Sequence, residues 1–200
     1  MGINKKISDT NIRIGEVRFD FVNLFKKRVT EDIPDGKYSV QLLIPKSNTA
    51  AVKLIEEAIE AAKQAGVSKK WSGKMPPASK IRLPLRDGDD EFPDDETYEG
   101  MWFMNSSYYG AGKPGIRVLD NGEVTDKKED GFTPIDEDDF YSGCYGVATL
   151  GFFAYNTKGN MGIAAGINNV IKTKDGDRLG SGRSADADFS DLGETDSWAD

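Results

Sequence analysis

Hydrophobic and polar residues alternate along much of this chain with the two-residue period of a β-strand. Residues 12–25 alternate through Val17, Phe19 and Phe21, which predicts a half-buried strand with these three side chains on one face. Residues 37–45 form a second apolar run that ends at a proline. The two runs could pair across a loop that carries three cations: Lys26, Lys27 and Arg28.

One segment has the helical period instead. Asn48 lies in a Ser-Asn-Thr sequence that offers an N-cap, and apolar residues recur at helical spacing from Val52 to Ala62. Gly66 then interrupts the pattern. The segment predicts one amphipathic helix of about four turns, with its charged residues facing solvent.

Strand-like runs also dominate the second half of the chain. Residues 101–109 are aromatic-rich, and residues 142–156 and 162–172 flank a turn at residues 157–160. Residues 81–85 contain a proline and fit an edge strand. Five or more strands with one helix between early strands predict a mainly β (α+β) domain, either a small barrel or a mixed sheet.

Charge is distributed very unevenly. The net charge is -8, but residues 87–99 hold eight acids and no base, residues 120–139 nine acids and two bases, and residues 185–200 six acids and no base. The rest of the chain holds 24 Lys and Arg against 11 Asp and Glu. We expect two long acidic loops, a folded domain over residues 1–184, and a disordered acidic C-terminal tail over residues 185–200. A basic body of this kind suits a polyanionic ligand.

Composition makes several classes of protein less probable. No apolar run approaches the roughly 20 residues that span a bilayer, and the N-terminus lacks the apolar core of a secretory signal, so we expect a soluble cytoplasmic protein. The chain has no histidine, which removes the usual Ser-His and Cys-His dyads and the commonest zinc ligand. Its single cysteine, Cys144, lies among small residues and fits a packed thiol. We therefore expect no enzyme, no cofactor and no metal.

Basic and aromatic residues are interleaved in the middle of the chain. Single-stranded nucleic acid is bound by this mixture, because cations follow the phosphates while exposed rings stack on bases. Alternate aromatics on one strand face opposite sides, so about half of them belong to the core. The candidate DNA-binding residues are Lys69, Lys70, Trp71, Lys74, Lys80, Arg82, Arg86, Trp102, Tyr108, Tyr109, Lys113 and Arg117.

The acidic clusters allow a different hypothesis. Carboxylates at residues 87–91 and 136–139 could hold Mg²⁺ in a nuclease. Consecutive acids in loops lack the rigidity that such a site needs, so solvated loops that repel DNA are the favoured interpretation. Residues 110–115 do not have the spacing of a phosphate-binding loop and are interpreted as a turn.

The predicted tail is too polar to fold alone, but a few apolar residues lie among its acids. Such segments can dock on basic partner proteins. The candidate partner-binding residues are Asp186, Asp188, Phe189, Asp191, Glu194, Asp196, Trp198 and Asp200.

Several motifs together resemble a family of bacteriophage single-stranded-DNA-binding proteins that was formerly known as a phage domain of unknown function. The resemblance extends over residues 12–183. The motifs are KYSVQLLIPKS (37–47), KW-GK (70–74), LPLRDGD (83–89), KPGI (113–116), FYSGCYG (140–146) and GNMGIAAGINN (159–169).

This resemblance implies an OB-fold-like barrel that binds single-stranded DNA without sequence preference in phage replication and recombination. It also implies a tail that contacts replication or recombination proteins, and a location in the cytoplasm of the infected bacterial host. A homodimer is expected by analogy with other OB-type proteins. The alternatives are a Mg²⁺-dependent nuclease or resolvase that uses the acidic clusters, and a phage adaptor protein that binds no nucleic acid.

Overall fold

Five strands wind into a closed barrel, with one long helix packed against it. The structure, a computed structural model, describes residues 2–157 and 159–180. In chain order the strands are β1 (Lys5–Lys6), β2 (Asn11–Thr30), β3 (Ile33–Pro45), β4 (Ile81–Arg82), β5 (Arg86–Asp87), β6 (Met101–Ser107), β7 (Gly115–Asp120), β8 (Glu123–Thr125), β9 (Tyr145–Thr157) and β10 (Asn160–Lys174). The helices are α1 (Thr49–Lys69), a short 3-10 helix (Ala78–Lys80) and α2 (Gly88–Glu91).

The barrel closes through one short parallel pairing. β2 pairs antiparallel with β3 and with β9, β3 pairs with β6, and β9 pairs with β10. β10 then pairs in parallel with β6, placing Ala165 opposite Ser106 and Gly166 opposite Ser107. The result is a mainly β, OB-fold-like barrel in which α1 lies between the second and third barrel strands, as the sequence predicted.

The helix begins and packs as its sequence predicts. The Asn48 side chain accepts a hydrogen bond from the Ala51 N–H at 3.2 Å and donates one to the Gly15 carbonyl at 3.0 Å, so it both caps α1 and ties it to β2. A Cβ added at Gly66 would lie 2.5 Å from the Cβ of Ala154. Glycine at this position therefore lets α1 approach β9 closely, and the helix continues for three residues past it.

The first hairpin differs from its prediction in two ways. Its strands are longer than the apolar runs and leave only residues 31–32 as the turn, so the predicted loop cations lie within β2. Its pattern is also broken, because Asp20 is buried whereas Phe21 is 54 % exposed. Phe19 faces the core as expected, but the prediction that Phe21 shares its face is wrong, since the strand is irregular at this point.

Both acidic segments contain regular structure. Residues 87–99 include the end of β5 and all of α2, and residues 120–139 include β8, which pairs with β7 beside the barrel. The Cys144 thiol is buried, and this burial raises its pKa to about 11, which confirms the packed thiol. No helix among the described residues has the length and apolar character needed to cross a membrane.

Candidate nucleic-acid interface

Polar side chains line the outer surface of β3 and β6. Met104 points into the core, so its neighbour Asn105 points outward, and Asn105 lies opposite Gln41 in the strand register. The Gln41 side-chain amide donates a hydrogen bond to the Asn105 side-chain carbonyl at 3.1 Å. Ser39 and Ser107 form the next pair on the same face of the two strands. This surface offers hydrogen-bonding groups rather than an apolar face.

Three depressions follow one another across this side of the barrel. The first, here called the hairpin groove, has a volume of about 580 Å³ and lies beside the β2–β3 hairpin. The second, the central groove, has a volume of about 590 Å³. The third, the glycine depression, has a volume of about 340 Å³. The two grooves share Lys37, Asn105 and Ser107, and the central groove shares Tyr109 with the glycine depression, so the three form one path.

Cations line the two grooves. Arg28 and Lys37 line the hairpin groove, and Lys37, Arg82 and Arg86 line the central groove. Arg86 forms an ion pair with Glu91, but no ion pair among the described residues involves the other three cations. Their charges are therefore available to an anionic ligand.

Two aromatic rings stand at the border of the central groove. Tyr109 is 62 % exposed and Phe153 is 38 % exposed, and their ring centroids lie 4.9 Å apart in an edge-to-face arrangement. Two paired glycines, Gly151 and Gly166, lie beside them in the glycine depression. A Cβ added at Gly166 would lie 3.4 Å from the Tyr109 ring and 3.6 Å from the Phe153 ring, so the absence of a side chain there lets both rings lie close to the strand.

The structure removes Trp71 from the predicted interface. This ring is only 5 % exposed and belongs to the barrel core, and its indole N–H donates a hydrogen bond to the Tyr155 carbonyl at 3.2 Å. A buried ring has no free face for a base, so its selection as a stacking residue is corrected.

Two other predicted aromatics are half-buried. Trp102 packs against the core, with the Lys46 ammonium 5.2 Å from its ring centroid. Tyr108 packs beside Tyr38, with ring centroids 6.4 Å apart, and its hydroxyl donates a hydrogen bond to the Ala111 carbonyl at 3.1 Å. Neither Trp102 nor Tyr108 lines the path.

Of the predicted residues, the path brings together Arg82, Arg86 and Tyr109. The other predicted cations are exposed but do not line it: Lys69, Lys70, Lys74, Lys80, Lys113 and Arg117. Arg117 lies 3.7 Å from the Asp126 carboxylate, on the β7–β8 side of the molecule. The predicted tail residues lie outside the part of the chain that the structure describes.

Sequence reasoning missed several residues of the path. Phe153 lies between two core residues, Phe152 and Ala154, so the two-residue period of β9 could have identified it as outward-facing. Lys37 belongs to the KYSVQ motif but was not selected as a ligand. Phe21 was assigned to the buried face, and no signal in the sequence marks the irregularity that exposes it.

The first acidic segment is folded onto the barrel instead of forming a mobile loop. The Lys46 ammonium donates hydrogen bonds to the carboxylates of Asp87 and Asp89, and the bond to Asp89 is 2.7 Å long. This contact holds the pKa of Asp89 below its usual value. Tyr98 is buried, and its hydroxyl donates a hydrogen bond to the Gln41 side-chain carbonyl at 2.7 Å. The segment therefore closes one end of the outer surface of β3 and β6.

The second acidic segment is also partly neutralised by neighbouring cations. Lys128 contacts Asp136 at 2.9 Å and Asp139 at 3.4 Å, and Arg178 contacts Asp138 at 3.2 Å. Within residues 2–157 and 159–180, no group of three or more acidic or cysteine side chains is arranged to hold a metal ion.

Comparisons with known proteins identify the family of this chain. The family model described as the single-stranded-DNA-binding protein of Enterobacter phage Enc34 matches residues 10–199. The chain belongs to this family. A relative in Acyrthosiphon pisum secondary endosymbiont phage 1, called protein p50, is 32 % identical over 191 residues, which cover 90 % of this chain and 93 % of the relative.

Solved structures of the family's phage Enc34 protein are also similar to this chain. The structure of the Enc34 protein in complex with single-stranded DNA has a TM-score of 0.68 at 27 % identity, over 88 % of this chain and 96 % of that one. The single-stranded-DNA-binding protein gp2.5 of bacteriophage T7 has a TM-score of 0.52 at 17 % identity, over 96 % of this chain and 98 % of that one. At that identity the second likeness shows a shared fold alone.

Proposed function

We propose that this protein binds single-stranded DNA without sequence preference along the path formed by the hairpin groove, the central groove and the glycine depression. The observation that carries the proposal is the combination, on one connected surface, of cations without carboxylate partners and an exposed aromatic pair. Membership in a family named for single-stranded-DNA binding supports it.

Each part of the path has a distinct task. Arg28, Lys37 and Arg82 neutralise phosphates and displace condensed counterions. Tyr109 and Phe153 stack on bases, and stacking accepts any base because every base has a π-face. Duplex DNA keeps its bases paired and stacked inside the helix, so it cannot use the two rings. The mechanism involves binding alone, with no chemical step.

In the infected bacterium, the protein would coat unpaired strands during phage replication and recombination. Bound protein excludes nucleases and prevents the strand from pairing with itself. The homodimer, the host cytoplasm and the absence of enzymatic activity stay predictions.

The salt dependence of binding tests this electrostatic mechanism. The three groove cations without a carboxylate partner, Arg28, Lys37 and Arg82, predict that the logarithm of the affinity for single strands falls with the logarithm of the salt concentration with a slope of about -2. Fluorescence anisotropy with a labelled oligonucleotide, titrated at several salt concentrations, measures this slope. A slope near zero would contradict phosphate binding by the grooves.

We propose that the acidic tail competes with DNA for the same cations and, when displaced, contacts other replication proteins. A chain that ends after Ser184 lacks all six tail acids and is expected to bind single strands more tightly at low salt. Equal affinities for the full and shortened chains would contradict the competition and leave partner contact as the tail's role.

A further inference from the structure

The β2 strand contains a bulge at Phe21. Asp20 lies opposite Gln41 in the register, and the next pair is Asn23 opposite Ser39, so β2 uses one more residue than β3 between these pairs. Phe21 takes up this extra residue with a φ of 44°, in the left-handed region that an aromatic residue rarely adopts. The bulge reverses the alternation, and the ring that should join Phe19 in the core faces solvent instead.

Three hydrogen bonds hold this unusual backbone in place. The Phe21 N–H donates to the Asp20 carboxylate at 2.7 Å, and the Asn23 side-chain amide donates to the Phe21 carbonyl at 2.8 Å. The Val22 N–H donates to the Ser142 hydroxyl at 3.0 Å. These hydrogen bonds thus hold the backbone of Phe21 in a strained conformation that exposes its aromatic ring. Backbone strain of this kind is concentrated at functional sites.

The exposed ring lies where a nucleic-acid contact would be useful. Phe21 lines the hairpin groove together with Arg28 and Lys37. Lys37 also lines the central groove, which ends at Tyr109. An aromatic ring is therefore present toward each end of one cationic path, with the polar floor of Asn105 and Ser107 between them.

We propose that Phe21 is a further base-stacking residue, so that a single strand is held by rings at two separated places, Phe21 at one and the Tyr109–Phe153 pair at the other. Phosphate contacts hold the strand between them. This proposal rests on the proposed function and adds the hairpin groove as a distinct subsite. The ligand is single-stranded nucleic acid, because cations flank the ring and the floor is polar, whereas an apolar partner surface would leave these groups without partners.

Because the stacking rings lie at two separated places, the effect of removing the Phe21 ring on affinity should depend on the length of the strand. A short oligonucleotide can stack on Tyr109 without reaching Phe21, whereas a longer one reaches both rings. OB folds cover about 4–16 nucleotides. Removing the ring should therefore weaken binding of long strands much more than binding of short ones.

The test compares Phe21→Ala with the intact protein, using thymidine oligonucleotides of increasing length in anisotropy titrations. We expect Phe21→Ala to weaken binding of the longest strands about five-fold to a hundred-fold, as a stacked base predicts, with little effect on the shortest strands that bind measurably. Phe132→Ala is the matched control, because Phe132 is 85 % exposed but does not line the path. It should bind strands of every length as the intact protein does.

Two further variants separate stacking from folding. Phe21→Gly suits the positive φ and should preserve or raise the melting temperature while weakening binding as Phe21→Ala does. Phe21→Trp should retain affinity for long strands. Unchanged affinity of Phe21→Ala and Phe21→Gly at every length, in a protein whose binding is weakened by Tyr109→Ala, would overturn this inference alone. Absence of binding by the intact protein would overturn the proposed function as well.

Discussion

Replacing Tyr109 and Phe153 together with alanine is expected to lower the affinity for single-stranded DNA at least about 30-fold. Each stacked ring contributes about 1–3 kcal/mol, and a tenfold change in affinity corresponds to about 1.4 kcal/mol. The two rings contact each other, so each single variant also disturbs the ring that remains, and the single effects need not add. Anisotropy titrations of the intact protein, both single variants and the double variant measure these effects.

Folding should be little affected by the double change, because both rings are exposed at the surface. The Phe132→Ala variant controls for loss of an exposed aromatic ring elsewhere and should retain full affinity. If the double variant bound within about two-fold of the intact protein, the aromatic pair would not be a stacking site, and the path would bind through its cations alone.

Replacing Trp71 with alanine is expected to have its main effect on stability. The indole ring packs against Gly66, and truncation of a buried tryptophan costs about 3–5 kcal/mol in the free energy of unfolding. The variant also leaves the Tyr155 carbonyl without its indole hydrogen-bond donor. Urea denaturation measures the loss, and anisotropy at low temperature, where the variant is folded, measures binding.

We expect the folded Trp71→Ala variant to bind single strands within about two-fold of the intact protein. Trp71→Phe is a useful comparison, because it keeps much of the buried ring and removes only the indole N–H. A variant that was fully stable but bound tenfold more weakly would place Trp71 at the interface and contradict its position in the core.

The contrast between Trp71 and Phe153 shows how far sequence reasoning reaches. The strands and the helix follow from local period, capping and turn residues, and these signals identified the barrel strands and α1 correctly. The interface depends on which face of each strand a side chain occupies. Trp71 lies among lysines in the sequence yet packs inside, whereas Phe153 follows a core phenylalanine and faces out.

Charge illustrates a similar limit. The sequence separates acidic segments from a basic body, but the fold brings them together, and Asp87, Asp89 and Glu91 pair with Lys46 and Arg86. Some of the basic charge is therefore neutralised within the domain. The cations left for DNA are selected by tertiary pairing, which local sequence does not reveal.

The β2 bulge is the clearest case in which a local pattern misleads. Regular alternation would bury Phe21 beside Phe19, but the structure exposes its ring. One inserted residue is enough to reverse the two faces, because the side-chain period of a strand is two. The hydrogen bonds that stabilise the bulge include one to Ser142, which is distant in the sequence, so the pattern of the strand itself could not predict it.

The central claim is that this surface binds single strands in preference to duplexes. The most direct test is a competition experiment in which a labelled single strand, bound to the intact protein at low salt without Mg²⁺, is displaced by unlabelled single- or double-stranded DNA of equal length. We predict that the single strand competes far more effectively than the duplex. Equal competition by both, or no binding of the labelled strand at all, would contradict the account.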